Sequence, residues 1–405
     1  MKRSVVYRLH DPLTRSNWGG RATSLAMGRI LETKASREIS AAIGAPYITS
    51  SLSDVDQRNE SGSAFTRVDA LAKLIAEPPA GASERLVELH EAIVSGDELV
   101  VNGEGDFILK ERLTLMRTIA TMRAAKMLGK PVHLLNSILS HAPVRPNNEQ
   151  LFVDEVGATL ELCDSIVYRD PHSLALHREY YPTLSATWAP DALFSWSDYA
   201  RTDLARRDAF SPETEGLPVP VQRLLTGGEP YVVISGTSRY GLKPEPFRRT
   251  VNALAQKLQK QGITTVFAST DEPDRALADA LDGTGIACVD PKVPLTAAAR
   301  LLWNAEVIVS GRYHPSILAS LGGTPFVLMA SNSHKTKSLY DVVPFGGSAV
   351  EEPFFRGGEK QAGRLAEVVT GYAGSSATRR RVARLARKNG RQVLRDFTAA
   401  VGSAV

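Results

Sequence analysis

The stretch AEVIVSGRYHPSILASLGGTPFVLMASNSHK, residues 305–335, decides the fold. A β-branched apolar run at 306–310 ends at Gly311 and passes at once into polar residues. A small-residue helical segment, 315–321, closes at Gly322-Gly323, and a second apolar run follows at 325–329. Strand, short crossover helix and strand in this order are the mark of a parallel sheet. Pro315 suits the first position of that helix and biases His314 toward extended backbone. Arg312 and His314, two apart, then project to similar sides beside the positive helix N-terminus. A guanidinium fork, an imidazole and unpaired backbone N–H groups at one place form an anion site. The same residues are structural if Arg312 pairs with a nearby acid and His314 only caps the helix. Lys335 follows the second strand and would add a third cation, with Tyr313 between the two strand-end residues as a further contact.

The same rhythm extends outward in both directions. Strand candidates in the first half are SVVYRL, PYITSS, ELVVNG, PVHLLN, DSIVYR and LSATWA; in the second half they are YVVISG, TTVFAST, IACVD, EVIVSG and PFVLMA. Residues 196–229 show no strand pattern, and the domain boundary is expected near 200–225. The expected fold is α/β, with two tandem Rossmann-like domains, 1–210 and 225–375, facing a cleft. Ligands of such sheets settle outside the carboxyl ends of the strands.

Length and composition agree with this picture. The chain has 405 residues, 43% hydrophobic and 23% charged, which suits two folded domains and excludes disordered, collagen-like and disulfide-rich classes. Cys163 and Cys288 stand far apart, without metal-ligand spacing, so a reducing cytoplasm is the expected setting. No run of about 18 apolar residues predicts a membrane span, and the N-terminus breaks its apolar run too early for a signal peptide. The net charge of +4 is local in origin. Residues 379–395 carry 8 of the 48 basic residues and no acid, leaving 40 basic against 44 acidic residues elsewhere, a net −4. A chain-wide nucleic-acid surface is thereby excluded. Val382, Ala386, Val393 and Phe397 lie near helical spacing, so residues 376–405 read as a basic amphipathic helix packing back on the body. Its cationic face is either simply solvated or attracted to an anionic membrane surface or acidic polymer.

Other strand ends supply further candidates. Arg239 lies in GTSRYGLK, after the first strand of the second half; that loop is no P-loop, because Leu242 occupies the required lysine position. In VVNGEGDF, Asp106 or Glu104 could accept a proton from an alcohol, although Asp106 also reads as a cap for a helix at 110–128. NWGGRATS leads into a helix at about 22–33, placing Asn17, Gly19 and Gly20 as cleft-lining positions. No histidine has metal-binding spacing, so no metal or other cofactor is expected.

Taken together, VIVSGRYHPSILASLGGTPFVLMASNSHK, NWGGRAT, VYRDPHS and WAPDALF resemble the polysaccharide pyruvyl transferase family. The resemblance touches both halves and is specific over 305–340. It implies a GT-B-like fold, phosphoenolpyruvate as donor, and a pair of glycan or glycan-precursor hydroxyls as acceptor. The products would be a pyruvate ketal and inorganic phosphate. By that likeness residues 225–375 form the donor domain and 1–210 the acceptor side. Arg312, His314 and Arg239 then match donor-binding positions, and Asp106 a position in the other domain. The chain departs from the pattern at Tyr313, where the family often has leucine, and at Glu104, in a loop commonly all glycine. Catalysis is expected from His314 as acid or phosphate ligand and from Asp106 or Glu104 as base. Arg312, Arg239, Lys335, Tyr313, Asn17, Gly19 and Gly20 are the expected binding residues. The rivals are a GT-B glycosyltransferase using a nucleotide sugar and a non-catalytic glycan- or anion-binding protein of the same fold. Residues 379–395 offer a peripheral contact to the inner face of the plasma membrane.

Overall fold

A computed structural model describes residues 3–9, 16–44, 48, 67–197, 216–238, 243–346 and 354–402. The chain divides into two compact units. The first comprises Met1–Leu13, Ser24–Ala192 and Gln392–Val405, and the second Thr14–Thr23 and Leu193–Arg391. In this division the first unit ends at Ala192 and the second resumes at Leu193, and a short N-terminal piece, Thr14–Thr23, belongs with the second half of the sequence.

In the first unit the described elements run β1 (Ser4–Leu9), α1 (Trp18–Thr33, shared with the second unit), β2 (Glu38–Gly44), α2 (Val68–Ala76), α3 (Glu84–Ser95), β3 (Glu98–Glu104), β4 (Ile108–Leu109), α4 (Leu113–Met127), β5 (Val132–Ser137), β6 (Ser140–His141), α5 (Glu149–Leu160), β7 (Ser165–Tyr168), α6 (Pro171–Tyr180) and β8 (Thr187–Trp188). The main sheet has the order β2-β1-β3-β5-β7-β8, with every pairing parallel. Its central strands are apolar in the middle and polar at their carboxyl ends, as in ELVVNGE, which is buried along its whole length. Val6, Leu99, Val101 and Leu134 form the core with Ile119, Phe152 and Tyr168.

The second unit contains α7 (Val219–Gly227), β9 (Tyr231–Thr237), α8 (Pro244–Gln259), β10 (Thr264–Ala268), α9 (Arg275–Asp279), β11 (Ala287–Val289), α10 (Leu295–Asn304), β12 (Val307–Gly311), α11 (Tyr313–Leu321), β13 (Phe326–Leu328), α12 (Lys335–Val342), α13 (Gly358–Tyr372) and most of α14 (Ser376–Gly402). Its parallel sheet has the order β11-β10-β9-β12-β13, over a core of Val232, Ile234, Phe247, Leu254, Val307 and Val309. Each sheet grows in both directions from its first strand, so each has a switch point where the crossovers diverge: between β1 and β3 in one, and between β9 and β12 in the other. Loops beyond the carboxyl ends at such points are the ligand sites of open α/β sheets.

Three expected boundaries differ. PYITSS, residues 46–51, lies outside the described residues apart from Ile48, and the second strand of the sheet is EISAAIG, an edge strand whose alternating exposure and small residues give a weak signal. Helix α11 begins at Tyr313, which makes His314 helical and puts Pro315 third, where its missing N–H still costs no helical bond. Helix α1 begins at Trp18, so Gly19 and Gly20 lie in its first turn and not in a loop.

Candidate functional site

In the second unit the turn from β12 into α11 is built by serines. Ser310 Oγ accepts from Arg312 N (2.9 Å) and donates to the Arg312 carbonyl (3.0 Å), which also accepts from Ser316 Oγ (3.0 Å). With its proton so used, Ser310 accepts from Ser235 Oγ on β9 (2.6 Å). This ties the two strands of the switch point together. Arg312 leaves the turn in extended backbone, and its guanidinium donates from Nη1 to Asp271 (3.0 Å) and from Nη2 to Asp274 (2.7 Å). Both acids follow β10. Burial opposes the Arg312 charge, but Asp274 and Asp271 outweigh it and hold the guanidinium above its ordinary value. Burial also raises the Asp274 carboxyl, against the pull of Arg312 and the N–H of Thr270. Arg312 is therefore no bare anion fork. It is clamped by two carboxylates, and only its buried Nε lacks a partner among the described residues.

His314 stands half-buried on the first turn of α11, its ring edge-on to Tyr313 at 5.3 Å. Gly19 presses against it: a Cβ there would lie 2.5 Å from the His314 Cβ and 2.6 Å from Nδ1, so only glycine admits the imidazole in this place. Asn17 caps α1, its Oδ1 accepting from Gly20 N (3.0 Å) while Nδ2 reaches Asp271 (3.4 Å). The start of α1 is anchored further by Trp18 N donating to the Thr270 carbonyl (3.0 Å) and by Trp18 Nε1 and Arg21 donating to the Pro291 carbonyl. The N-termini of α1 and α11 thus meet at Gly19 and His314. A third helix start, that of α12, carries Lys335, whose Nζ donates to Ser238 Oγ (3.2 Å) in the loop after β9. Neither α11 nor α12 has a side-chain cap at its first turn. Arg239, the next residue after Ser238, lies outside the described residues.

In the first unit Asp106 performs a task that spacing did not disclose. Its Oδ2 accepts from Arg8 Nη2 at 2.6 Å, and both side chains are buried. Arg8 also donates to the Asn102 carbonyl and to Thr118 Oγ1, fastening the ends of β1 and β3 to α4. Asp106 neutralises this buried staple, and the cap position of α4 belongs to Arg112 instead. Glu104 is placed differently. It ends β3 with φ +39°, left-handed backbone that a non-glycine residue adopts only at a cost, and its Oε1 accepts from Asn102 Nδ2 (3.4 Å). Asn136, at the end of β5, is also left-handed with φ +54°. Strain gathered at two adjacent strand ends beside the switch point marks a site held in shape by its surroundings.

Sequence reading missed Asp271, Asp274, Asn102 and Asn136. Asp271 and Asp274 stand in STDEPD, directly after a strand, which is their one signal in the sequence. Among the described residues, no group of three or more His, Cys, Asp or Glu could hold a metal ion. Burial pushes the thiols of Cys163 and Cys288 up to about 12 and about 11, away from nucleophilic use at neutral pH.

The sequence profile of the polysaccharide pyruvyl transferase family matches residues 31–333. The chain belongs to that family. The match takes in the β12–α11 turn, Glu104 and Asp106, but begins after Asn17–Gly20 and ends before Lys335, which rest on geometry alone. No match was found among curated proteins. Solved structures similar in fold include S. aureus MnaA with UDP (TM-score 0.60, 11% identity, 99% of this chain and 97% of that one). UDP-GlcNAc 2-epimerase from Neisseria meningitidis, bound to UDP-GlcNAc, has TM-score 0.57 and 13% identity over 98% and 99% of the two chains. The UDP-forming alpha,alpha-trehalose-phosphate synthase of Burkholderia xenovorans has TM-score 0.58 and 12% identity over 98% of each. The fold is that of GT-B glycosyltransferases and epimerases, with two Rossmann-like α/β domains.

Proposed function

We propose that this family member transfers the carboxyethylidene group of phosphoenolpyruvate to two hydroxyls of a glycan or glycan precursor, forming a ketal and releasing phosphate. The observation that carries the donor side is the gathering of His314, Lys335 and the starts of α11 and α12 around the β9/β12 switch point. The donor bears a phosphate and a carboxylate, and helix N-termini with a lysine suit both. Arg312, held rigid by Asp271 and Asp274, aims its Nε–H and frames the site without supplying a free positive charge.

Chemically, His314 protonates the enol carbon, giving an oxocarbenium-like centre that one sugar hydroxyl attacks. Phosphate leaves, and the second hydroxyl closes the ketal. Of the two hydroxyl protons lost, one replaces the proton given to the methyl carbon and the other departs with phosphate. Glu104 is the base for the hydroxyls: it is 3% exposed where Asp106 is 0%, and Asp106 is spent on Arg8. Phosphate release from phosphoenolpyruvate with candidate glycans tests the reading. His314→Ala should abolish it at saturating donor, and near-normal turnover would remove His314 as the acid.

We propose also that the enzyme works in the cytoplasm against an anionic membrane face. Among the described residues, no helix is long and apolar enough to cross a membrane. Helix α14 instead buries Val382, Ala386, Val393 and Phe397 and leaves Arg380, Arg384, Lys388, Arg391 and Arg395 exposed along one face. At 1.5 Å per residue that stripe is about 22 Å long, and each cation near an anionic surface contributes about 1 kcal/mol. Replacing Arg380, Arg384, Lys388 and Arg391 together by glutamine should release the protein from phosphatidylserine-containing vesicles in sedimentation while leaving turnover on soluble acceptors. Unchanged sedimentation would refute the contact.

A further inference from the structure

Glu104 does not stand alone at the end of β3. The N–H of Ala192 donates to Asn136 Oδ1 (3.0 Å), which fixes the orientation of that amide. Asn136 Nδ2 must then donate, and it does so to Asn102 Oδ1 (3.0 Å). Asn102, fixed in turn, presents Nδ2 to Glu104 Oε1 (3.4 Å) and to the hydroxyl of Tyr7 (3.5 Å). Tyr7 gives its own proton to the Ser24 carbonyl (3.0 Å), leaving its oxygen to accept. Every bond in the series points one way, from a backbone N–H that cannot reverse to a carboxylate that can only accept. Asn102 and Asn136 are fully buried, and the Asn136 amide both receives the first N–H of the 3₁₀ turn Ala192–Ser197 and passes its own N–H on to Asn102. Asn136 holds left-handed backbone to take part, and Asn is among the few residues that tolerate it.

We infer that Asn136 and Asn102 are positioning residues, a one-way amide relay that aims the Glu104 carboxylate and keeps it an acceptor. The inference deepens the assignment of Glu104 as the hydroxyl base and rests on it for its catalytic meaning. A base that is to receive a proton from an alcohol needs its carboxylate held in one orientation. The relay holds Oε1 from the side of the sheet and leaves the carboxylate unable to turn without breaking two amide orientations. Among the described residues, the titratable and charged groups of the surrounding elements include Tyr7 and Arg8 from β1, Asp106 and Arg112 from the segment after β3, and the Arg169–Asp191 pair after β7. Arg8 bonds to Asp106 and Arg169 to Asp191, and the amides reach Glu104 directly.

Asn136→Asp tests this with a nearly isosteric change that also tolerates the backbone. Its second oxygen would face Asn102 Oδ1, and Asn102 would flip to donate to it, turning a carbonyl toward Glu104. The Glu104 carboxyl should then titrate roughly a unit higher. The probe is the 13C-carboxyl signal of labelled glutamate that disappears in Glu104→Gln, followed from pH 3 to 9. With phosphoenolpyruvate and a methyl hexopyranoside bearing free 4- and 6-hydroxyls, the acid limb of kcat/KM should move by the same amount. KM for phosphoenolpyruvate should stay constant. Asn136→Gly, which keeps the left-handed backbone and deletes the amide, should shift both readouts in the same direction by less. An unmoved Glu104 titration in both variants overturns the relay, whatever the activity. A shifted titration with turnover indifferent to Glu104→Gln leaves the relay standing and overturns Glu104 as base.

Discussion

Replacing Glu104 by alanine, glycine and glutamine separates the strain it bears from the chemistry proposed for it. At φ +39° an L side chain carries about 1–2 kcal/mol of backbone strain, which alanine keeps and glycine sheds. Glycine loses about 0.5–1 kcal/mol more chain entropy on folding, so Glu104→Gly should be more stable than Glu104→Ala by roughly 1 kcal/mol. For domains of about 150–250 residues that is about 2–4 °C in Tm, within reach of calorimetry. All three variants should lose about 10²- to 10⁴-fold in kcat for phosphate release, the usual worth of a positioned base, with phosphoenolpyruvate binding unchanged. A residue serving only the fold would behave oppositely, losing stability and keeping kcat. Equal stability of the alanine and glycine variants would show that the backbone there is relaxed. Full activity in the glutamine variant would end the assignment.

Three further outcomes follow from the geometry. Gly19→Ala drives a methyl into the Cβ and ring of His314 and should cost about 1–3 kcal/mol in urea unfolding; His314→Ala in the same chain removes the ring but keeps the Cβ, so it should restore only part of the urea midpoint and none of the turnover. Asp274→Asn leaves the buried Arg312 half-neutralised and should cost about 3 kcal/mol, against about 1 kcal/mol for Asp271→Asn at the more exposed end of the clamp, both read from urea unfolding. For Glu98, at the opposite end of β3, burial raises the carboxyl, but the His133 imidazole 3.7 Å away and the bond from Arg37 outweigh it and bring it below its ordinary value. A carboxyl depressed in the folded state contributes stability above its unfolded pKa of about 4.3 and loses it as pH falls through the folded value. Thermal scans should therefore show Tm falling below about pH 4.3, with a shallower fall in Glu98→Gln.

The parallel sheets were legible because their central strands are unbroken apolar runs with polar carboxyl ends, and β12, β9 and β3 could be placed from those runs alone. β2 was not, since an edge strand of alanine, serine and isoleucine has no such contrast. The helix starts at Trp18 and Tyr313 were each set too late, for different reasons. Asn17 is an ordinary cap hidden behind two glycines, and Pro315 is tolerated anywhere in a first turn, so it does not fix which position it fills. The strand-end Arg312 and His314 share one turn, yet the partners of Arg312 come from the segment after β10, 41 and 38 residues earlier, and spacing holds no information about them. Asp106 and Glu104 look equivalent two residues apart; only the tertiary position of Arg8 tells the neutralised acid from the strained one.

The central claim, that the second unit holds a small dianionic three-carbon donor at the β12–α11 turn, is tested most directly by titration calorimetry without added metal. Phosphoenolpyruvate should bind the wild-type protein, with affinity lost in Lys335→Ala and His314→Ala, while UDP and UDP-GlcNAc give no heat. Tight binding of a uridine nucleotide with none of phosphoenolpyruvate would contradict it.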